Sequence, residues 1–286
     1  MRDILKHKLT WTVIIIIILI LLSLFLISKT NKKNMVDLTF SALADSIFSS
    51  VNIATSTVTS TKLFDYIKII NSCDYEWKGG CVNMRSGADE NFPVVAKLRN
   101  GIILKVKDKI EVNGHTWYKI IFDEWLRYPE RVTDDLYVAG DFVELFKNEG
   151  PKEITTNDTS ITTKRIIIDR EEQTLYAYDG DTLFMKEKIS TGLELTPTPR
   201  GVFKVYRKTP SRYMQGPIPD ISEQNFDLPG VPWNLYFSNE GAVIHGAYWH
   251  NDFGKVHSSG CVNLPPSQAE KLYHWAELGT KIMVRD

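Results

Sequence analysis

Twenty residues near the C-terminal end concentrate the side chains best suited to catalysis. The stretch HGAYWHNDFGKVHSSGCVNL, from His245 to Leu264, holds three of the chain's six histidines and one of its three cysteines. A cysteine nucleophile needs a base that removes its proton, a group that orients this base, and donors for the oxyanion. Because little of an ordinary thiol is ionised at neutral pH, an adjacent imidazole would raise its reactive fraction. The segment therefore predicts nucleophilic catalysis by Cys261.

Three histidines precede Cys261, and their spacing alone does not choose a base among them. His245, His250 and His257 are all candidates. Histidine and cysteine are also zinc ligands, but this segment lacks the tight pairwise spacing of a zinc site, and we therefore predict no metal. Backbone N–H groups beside Cys261 are candidate oxyanion donors, because Gly260 lets the chain approach a substrate closely.

The same segment resembles the catalytic signature of the L,D-transpeptidases, the YkuD-like domain. In this family a His-Gly pair is followed further along the chain by Ser-His-Gly-Cys, an apolar residue and Asn or Arg. Here His245-Gly246 opens the pattern, and SSGCVN at 258–263 closes it. The elements STG at 190–192, TPRG at 198–201 and VPWNLYF before the motif fall in family order. The resemblance therefore extends over residues 163–286.

The resemblance assigns roles to individual residues. It implies that Cys261 is the nucleophile and that His245 is the general base. The backbone carbonyl of Gly246 would orient the imidazole, in the place where other cysteine enzymes use Asn or Asp. From the residues themselves, the candidate oxyanion donors are the backbone N–H groups of Gly260, Cys261 and Ser259.

Ser259 departs from the family pattern, which usually has a histidine at this position. Two explanations remain open. Either His257 compensates for the missing histidine, or Ser259 replaces a structural hydrogen bond with a weaker one. We expect activity to survive the change.

Four further residues around the motif are candidates for substrate binding, namely Tyr248, Trp249, His250 and Asn263. The three aromatic residues either line the groove for the acyl donor or pack together to fix the loop. Asn263 either contacts the substrate or braces the loop through side-chain hydrogen bonds.

The family implies a reaction on the bacterial cell wall. Cys261 would attack the carbonyl of the third residue of a donor peptidoglycan stem, release the terminal D-alanine and hold the stem as a thioester. A side-chain amine of an acceptor stem would then displace the sulfur and complete a crosslink between third residues. No cofactor is implied, and carbapenem-type β-lactams would acylate the same sulfur.

Other functions fit the same domain. The thioester could pass to water, as in an L,D-carboxypeptidase, or to a free D-amino acid in an exchange reaction. A cysteine peptidase of the NlpC type is disfavoured, because such enzymes place the cysteine before the histidine. A membrane-tethered wall-binding protein with a weakened active site is the non-enzymatic alternative. The formal net charge of -1 gives no reason to expect a nucleic-acid partner.

The N-terminal region predicts a transmembrane signal anchor. Residues 11–27 form an almost unbroken apolar run, which at about 1.5 Å of rise per residue nearly spans a bilayer core. A cleavable signal would be shorter and would end at a small-residue site. We predict a cytoplasmic N-terminus at 1–9, an anchor at 10–28 and a juxtamembrane linker at 29–62. The remainder would lie outside the cytoplasm, in the periplasm or cell wall.

Residues 63–148 predict a small β-rich module. Short alternating runs such as ILKVKDKIEV and HTWYKI are separated by Asn-Gly turns, which is typical of hairpins. The order VNMRSGADENFPVV, NGHTWYKI, YVAGDFVEL resembles a bacterial SH3-like module, which binds cell-wall glycan or peptide, or only spaces and orients a catalytic partner. The insertion FDEWLRYPERVTDDL lengthens one loop of this pattern. Cys73 and Cys81 either form a small disulfide, as an extracytoplasmic location allows, or remain free thiols.

A polar linker at 149–162 precedes the catalytic domain at 163–286, for which we predict a mainly β fold with a short C-terminal helix. The segment KRIIIDREEQTLYAYDGDTLFMKEKISTG predicts three strands with an Asp-Gly hairpin. Proline and glycine at 193–233 indicate ordered loop. The capping box SQAE at 267–270 predicts the helix start, and Lys281 to Arg285 predict a final strand.

Overall fold

The structure, a computed structural model, describes residues 16–21, 62–132, 135–155, 162–219 and 222–286. The chain clusters into two compact units, Met1–Ser60 and Thr61–Asp286. In the first unit residues 16–21 are helical and exposed. The rest of the predicted anchor at 10–28, and almost all of the predicted linker at 29–62, lie outside the described residues. Among the helices that are described, none is long and apolar enough to cross a membrane.

Seven antiparallel strands open the second unit. Their bounds are β1 Phe64–Ile69, β2 Val82–Arg85, β3 Val94–Leu98, β4 Ile103–Val112, β5 His115–Ile120, β6 Leu136–Ala139 and β7 Val143–Asn148. They form one sheet in the order β3-β2-β6-β5-β4-β1-β7. The β4–β5 hairpin turns at Asn113-Gly114, where both φ angles are positive, as a two-residue type I′ turn requires. The β structure predicted for 63–148 is therefore present, and its identity as an SH3-like module stays a prediction.

A disulfide joins Cys73 to Cys81 in the segment between β1 and β2. Removing it will destabilise this sheet. A crosslink that closes a short loop lowers the entropy of the unfolded chain, which corresponds to about 2–3 kcal/mol of stability at 25 °C. We expect the Cys73→Ser/Cys81→Ser double variant to lose about this free energy of unfolding, measured by urea denaturation without reductant. Wild type in reductant should shift equally. An unchanged midpoint in both would contradict the stabilising role.

The described residues from Lys152 onward form ten strands and one helix. Their bounds are β8 Lys152–Glu153, β9 Lys164–Asp169, β10 Thr174–Asp179, β11 Thr182–Lys188, β12 Gly201–Lys204, β13 Arg207–Gln215, β14 Asp227–Tyr236, β15 Val243–Gly246, β16 Val262–Leu264, α1 Pro266–Trp275 and β17 Lys281–Arg285. Two five-stranded sheets result, ordered β11-β10-β9-β17-β12 and β16-β15-β14-β13-β8. The predicted fold class, mainly β with a short C-terminal helix, is confirmed.

Local predictions differ from the structure at two places in these sheets. About half of the stretch 193–233 is strand, since it contains β12, β13 and most of β14. Proline has no N–H to donate, so a strand tolerates it only where the pairing is irregular. Pro210 lies at such a place, because it has no partner in the β13–β14 register. The neighbouring position on β14 is Trp233, whose φ of 60° also departs from strand geometry. β8 lies inside the predicted linker at 149–162 and pairs with β13, so this part of the linker belongs to the sheet.

The helix α1 begins one residue before the predicted capping box. Pro266 occupies its first turn and no side chain caps it, so Ser267 lies inside the helix. Proline suits this position because the first backbone N–H groups of a helix have no internal partner. At the other end Lys208 Nζ donates to the carbonyl groups of Tyr273 and Ala276, at 2.7 and 2.5 Å. A cation at a helix C-terminus satisfies carbonyl groups that the helix leaves unpaired.

Shared hydrophobic packing joins the N-terminal sheet to the two five-stranded sheets. Tyr66 and Ile103 belong to the core cluster of the five-stranded sheets, and Val231 and Tyr248 belong to that of the N-terminal sheet. A Cβ on Gly230 would lie 2.4 Å from the carbonyl oxygen of Ile103. Only glycine therefore lets β14 pass so close to β4, and the two parts of the unit hold a fixed relative position.

Candidate active site

Two parallel strands place His245 beside Asn263. β15 and β16 pair in parallel, with Ile244 opposite Val262 and His245 opposite Asn263. Paired residues project from the same face of a sheet, so the imidazole and the amide meet. Both residues are buried, and burial restricts the positions that their side chains can take.

Cys261 immediately precedes β16, two residues before Asn263. Because side chains alternate along extended chain, Cys261 and Asn263 share a face, and the same register places Cys261 opposite Val243. The backbone N–H of Val243 does interact with the thiol. Cys261 is two residues before Asn263, which is a distance of about 6.6 Å along a strand. Because Asn263 is opposite His245, the sulfur and the His245 ring lie on neighbouring strands and are offset by one side-chain position on the same face.

A continuous chain of hydrogen bonds fixes the tautomer of His245. Its Nδ1 lies 3.1 Å from the carbonyl oxygen of Gly246. A carbonyl only accepts, so Nδ1 carries the proton and Nε2 is an acceptor. Asn263 Nδ2 donates to that Nε2 at 3.2 Å, and Asn263 Oδ1 accepts from His250 Nε2 at 3.1 Å. His250 Nδ1 then accepts the N–H of Asp252 at 3.2 Å. Every group has one consistent role when both imidazoles are neutral.

Burial keeps the predicted nucleophile and base uncharged. The pKa of His245 is lowered to about 4, chiefly by burial and also by the Arg212 charge, against an opposing effect of the Gly246 carbonyl. Burial raises the pKa of the Cys261 thiol, although Arg212 and the Val243 N–H partly oppose this. At neutral pH the free protein therefore holds a thiol and a neutral imidazole. The sequence argument expected the imidazole to raise the thiolate fraction, and burial opposes that effect before substrate arrives.

Alkylation kinetics will test this protonation state. Cys261 is the free cysteine of the chain, since the other two form the disulfide. Because burial raises the pKa of its thiol, we expect its reaction with iodoacetamide at pH 7 to be slower than that of N-acetylcysteine amide. The rate should still climb above the ordinary thiol pKa of about 8.5. If the folded protein reached half of its maximal alkylation rate at a pH below about 8.5, the thiolate would already be formed in the free protein, and the prediction would be contradicted.

Thr198 holds the Cys261 loop from outside the motif. Its buried Oγ1 donates to the carbonyl of Gly260 at 2.9 Å and accepts the N–H of Gly192 at 3.0 Å. Ser258 Oγ donates to the carbonyl of Cys261 at 2.5 Å. The φ of Gly260 is 112°, a backbone conformation that other residues rarely adopt. The STG and TPRG elements therefore support the loop that presents the sulfur.

One predicted oxyanion donor is already engaged. The N–H of Gly260 donates to Ser258 Oγ at 3.2 Å, so this group shapes the loop instead of facing a substrate. Within the described part of the chain, no hydrogen bond engages the backbone N–H of Ser259 or of Cys261. These two groups are the remaining candidate donors.

His257 lies against the hydrogen-bonded chain, as one of the two explanations for Ser259 requires. Its ring stacks on His250 with centroids 4.0 Å apart, and its Nδ1 lies 3.6 Å from Asp252 Oδ2. The hydroxyl of Ser259 makes no hydrogen bond to any described residue, and its relation to His257 stays a prediction. The ligand atoms of His250, Asp252 and His257 lie within 4.8 Å of one another, close enough for a metal ion. Both ring nitrogens of His250 are nevertheless used in hydrogen bonds.

The four candidate substrate-binding residues differ in accessibility. Tyr248 is buried, and its hydroxyl donates to the Pro229 carbonyl at 2.8 Å, which corresponds to packing. Tyr248 and His250 also border a cavity of about 500 Å³. Trp249 is half-buried, with its ring 5.7 Å from that of His245. Asn263 braces His245, which is the structural one of its two predicted roles.

Sequence reasoning missed Arg212. This half-buried residue lies on β13, opposite Val231, and its charge acts on both His245 and Cys261. No motif marks it, because only the pairing of β13 with β14 brings it to the site.

Comparison with known proteins identifies relatives of the C-terminal part of the chain. Residues 163–284 match the YkuD family, the L,D-transpeptidase catalytic domain. The "Putative L,D-transpeptidase YkuD" of Bacillus licheniformis is 27% identical over 123 residues, which cover 42% of this chain and 64% of that protein. The chain thus spans less than two thirds of the length of this curated relative.

Two solved structures from Enterococcus faecium are also similar. The crystal structure of an L,D-transpeptidase mutant is 28% identical with a TM-score of 0.40, and the match covers 44% of this chain and 50% of that one. The NMR structure of the E. faecium L,D-transpeptidase catalytic domain acylated by ertapenem is 27% identical with a TM-score of 0.39, covering 44% of this chain and 99% of that one.

Proposed function

Because residues 163–284 form a YkuD-family L,D-transpeptidase catalytic domain, we propose that this protein is a peptidoglycan L,D-transpeptidase that works through a thioester on Cys261. The observation that carries the proposal is the His245–Asn263 pair, held in one tautomer directly beside the strand entry at Cys261. A neutral imidazole with Nε2 as acceptor is the form that a general base requires.

The first half of the reaction forms the thioester. His245 Nε2 exchanges its bond with Asn263 for the thiol proton of Cys261 as the sulfur attacks the carbonyl of the third stem residue. The backbone N–H groups of Ser259 and Cys261 stabilise the oxyanion. The amide C–N bond then breaks, and the imidazolium returns its proton to the leaving amine of D-alanine. The stem remains bound to Cys261 as an acyl group.

The second half transfers the stem to an amine. A side-chain amine of the acceptor stem attacks the thioester and loses a proton to His245. The C–S bond breaks, and Cys261 leaves as a thiolate that recovers the proton from His245 Nε2. The new amide is the crosslink between third residues. The free energy of the broken amide is carried through the thioester, so the cycle needs no ATP.

Carbapenem-type β-lactams should acylate the same sulfur, since their strained amide carbonyl is also an acyl donor to a thiolate. For location we propose a membrane-tethered protein, anchored by residues 10–28, whose catalytic domain works in the periplasm or cell wall. The Cys73–Cys81 disulfide supports an oxidising, extracytoplasmic compartment.

Mass spectrometry of the Cys261 peptide tests the proposed chemistry. The purified full chain is incubated with a synthetic tetrapeptide stem and quenched in acid. We expect a mass gain equal to the stem minus D-alanine on the peptide that contains Cys261. Products released on adding a second stem, water alone or a free D-amino acid distinguish transpeptidation from the carboxypeptidase and exchange alternatives. No adduct together with binding to purified sacculi would support the wall-binding alternative instead.

A further inference from the structure

The insertion FDEWLRYPERVTDDL, which lengthens one loop of the N-terminal sheet, reaches into the catalytic domain. Its described residues 122–132 are called here the insertion loop. Gln215 of β13 and the backbone of Tyr128 exchange two hydrogen bonds, at 2.9 and 3.1 Å. Glu124 Oε1 accepts the N–H of Tyr213 at 2.7 Å. Arg131 donates to the carbonyl of Gly216 at 2.8 Å. The insertion loop is thus fastened along the end of β13.

A cavity of about 430 Å³ lies between the insertion loop and β13. Its walls include Trp125 and Arg127 from the loop and Arg212 and Tyr236 from the catalytic sheet. Arg212 connects this cavity to the catalytic centre: it lies on β13, in the same sheet as β15 and β16, and its charge acts on both His245 and Cys261. A ligand bound by Arg212 would therefore lie on the sheet that carries the base.

The cavity wall contains the carboxyl groups of Asp123 and Glu124 as well as cations, and the cations are unequally paired. Burial raises the pKa of Glu124 and so favours its neutral form, although the Arg212 charge partly opposes this. Lys105 is neutralised by Asp123 at 2.6 Å, and Arg207 by Glu153 at 3.0 Å. Among the described residues, by contrast, no carboxylate lies within salt-bridge distance of Arg127 or Arg212. Their guanidinium groups instead lie near aromatic rings, 5.4 Å from Trp125 and 5.6 Å from Tyr236. Two cations beside aromatic walls are suited to a planar anion such as a carboxylate.

We propose that the insertion loop is a substrate-binding element, and that Arg127 and Arg212 bind a carboxylate of the donor peptide in this cavity. The proposal rests on the proposed function for the identity of the peptide. The donor stem ends in D-alanine, whose free carboxylate is three bonds from the carbonyl that Cys261 attacks. A cation close to that sulfur is therefore in range of the terminal carboxylate, and an acidic peptide is the ligand class that the cavity selects.

Binding measurements on the Cys261→Ala full chain test the proposal without turnover. Two probes are compared by calorimetry: a tetrapeptide with free carboxylates, and the same peptide with all its carboxylates as primary amides. We expect the free acid to bind at least about tenfold more tightly, because a charged hydrogen bond contributes this order of affinity. Arg127→Gln and Arg212→Gln should each reduce that preference by about tenfold. Lys107→Gln, which removes an exposed cation outside the cavity, should retain it.

The outcomes separate this inference from the proposed function. Equal binding of both peptides by the parent, or an unchanged preference in Arg127→Gln, would overturn the role of the insertion loop. Arg127→Lys keeps the charge and should retain most of the preference, which distinguishes lost recognition from lost folding. If the wild-type chain forms no Cys261 adduct while the preference follows Arg127, the proposed function fails and the carboxylate site stands.

Discussion

Replacing Cys261 with alanine will reduce thioester formation and crosslinking to background. The proposed reaction has no route to an acyl-enzyme without the sulfur, and removing a covalent nucleophile typically costs at least about 10⁴-fold in rate. Alanine is smaller than cysteine and apolar, so it fits the same space, although it removes the sulfur partner of the Val243 N–H. Stem turnover by the full chain, followed by chromatography of the products, measures the loss.

The disulfide cysteines provide the matched control for this variant. The Cys73→Ser/Cys81→Ser protein loses two sulfur atoms from the N-terminal sheet and keeps Cys261. At a temperature where it remains folded, it should form the adduct at close to the wild-type rate. Crosslinking by Cys261→Ala at more than a trace level, with the folded state intact by circular dichroism, would exclude the thioester pathway.

The candidate nucleophile and base could be predicted from the sequence, whereas the hydrogen bonds and the burial around them could not. The His-Gly and Gly-Cys elements predict a nucleophile and a base, and the parallel pairing of β15 with β16 brings His245 and Asn263 together. The hydrogen-bonded chain through Asn263 to His250 depends on side-chain directions that spacing does not encode. Burial is a tertiary property as well, which is why the neutral thiol was not foreseen.

Long-range strand pairing explains what the sequence left out. Proline at 193–233 suggested loop, although the chain there forms β13 and β14, whose pairing delivers Arg212 to the site. The insertion loop showed no pattern of its own, because its partners lie on Gln215 and its neighbours, far away in sequence. Local propensity is a weak guide where distant contacts decide the conformation.

The close packing of the two parts of the second unit changes how the N-terminal sheet is to be understood. A module that only spaces its partner would not need Gly230 to admit β4 against β14. Nor would it place Trp125 and Arg127 at a cavity beside Arg212. Spacing alone does not account for these contacts, whereas an orienting role and the proposed part in substrate binding each would.

His245→Gln will lower the rate of acylation by about 10²–10⁴-fold, the usual contribution of a positioned general base. Glutamine can still hydrogen-bond with Asn263 but cannot carry the proton from Cys261 to the leaving amine. Exposed His115 lies on β5 of the N-terminal sheet, and His115→Gln should leave the rate unchanged. Equal losses in both variants would point to a general folding defect.

The pH profile gives a second readout for the same residue. Burial lowers the pKa of His245 to about 4, so the base stays neutral above that pH and is lost only as the pH falls through about 4. Wild-type acylation should therefore hold its rate well below the ordinary histidine pKa of about 6.5, and His245→Gln should lack this acid limb. Because the unfolded chain protonates first, stability should also decline as the pH falls from about 6.5. An acid limb at that ordinary value in a folded enzyme would show that His245 is not the buried, neutral base that the hydrogen-bonded chain requires.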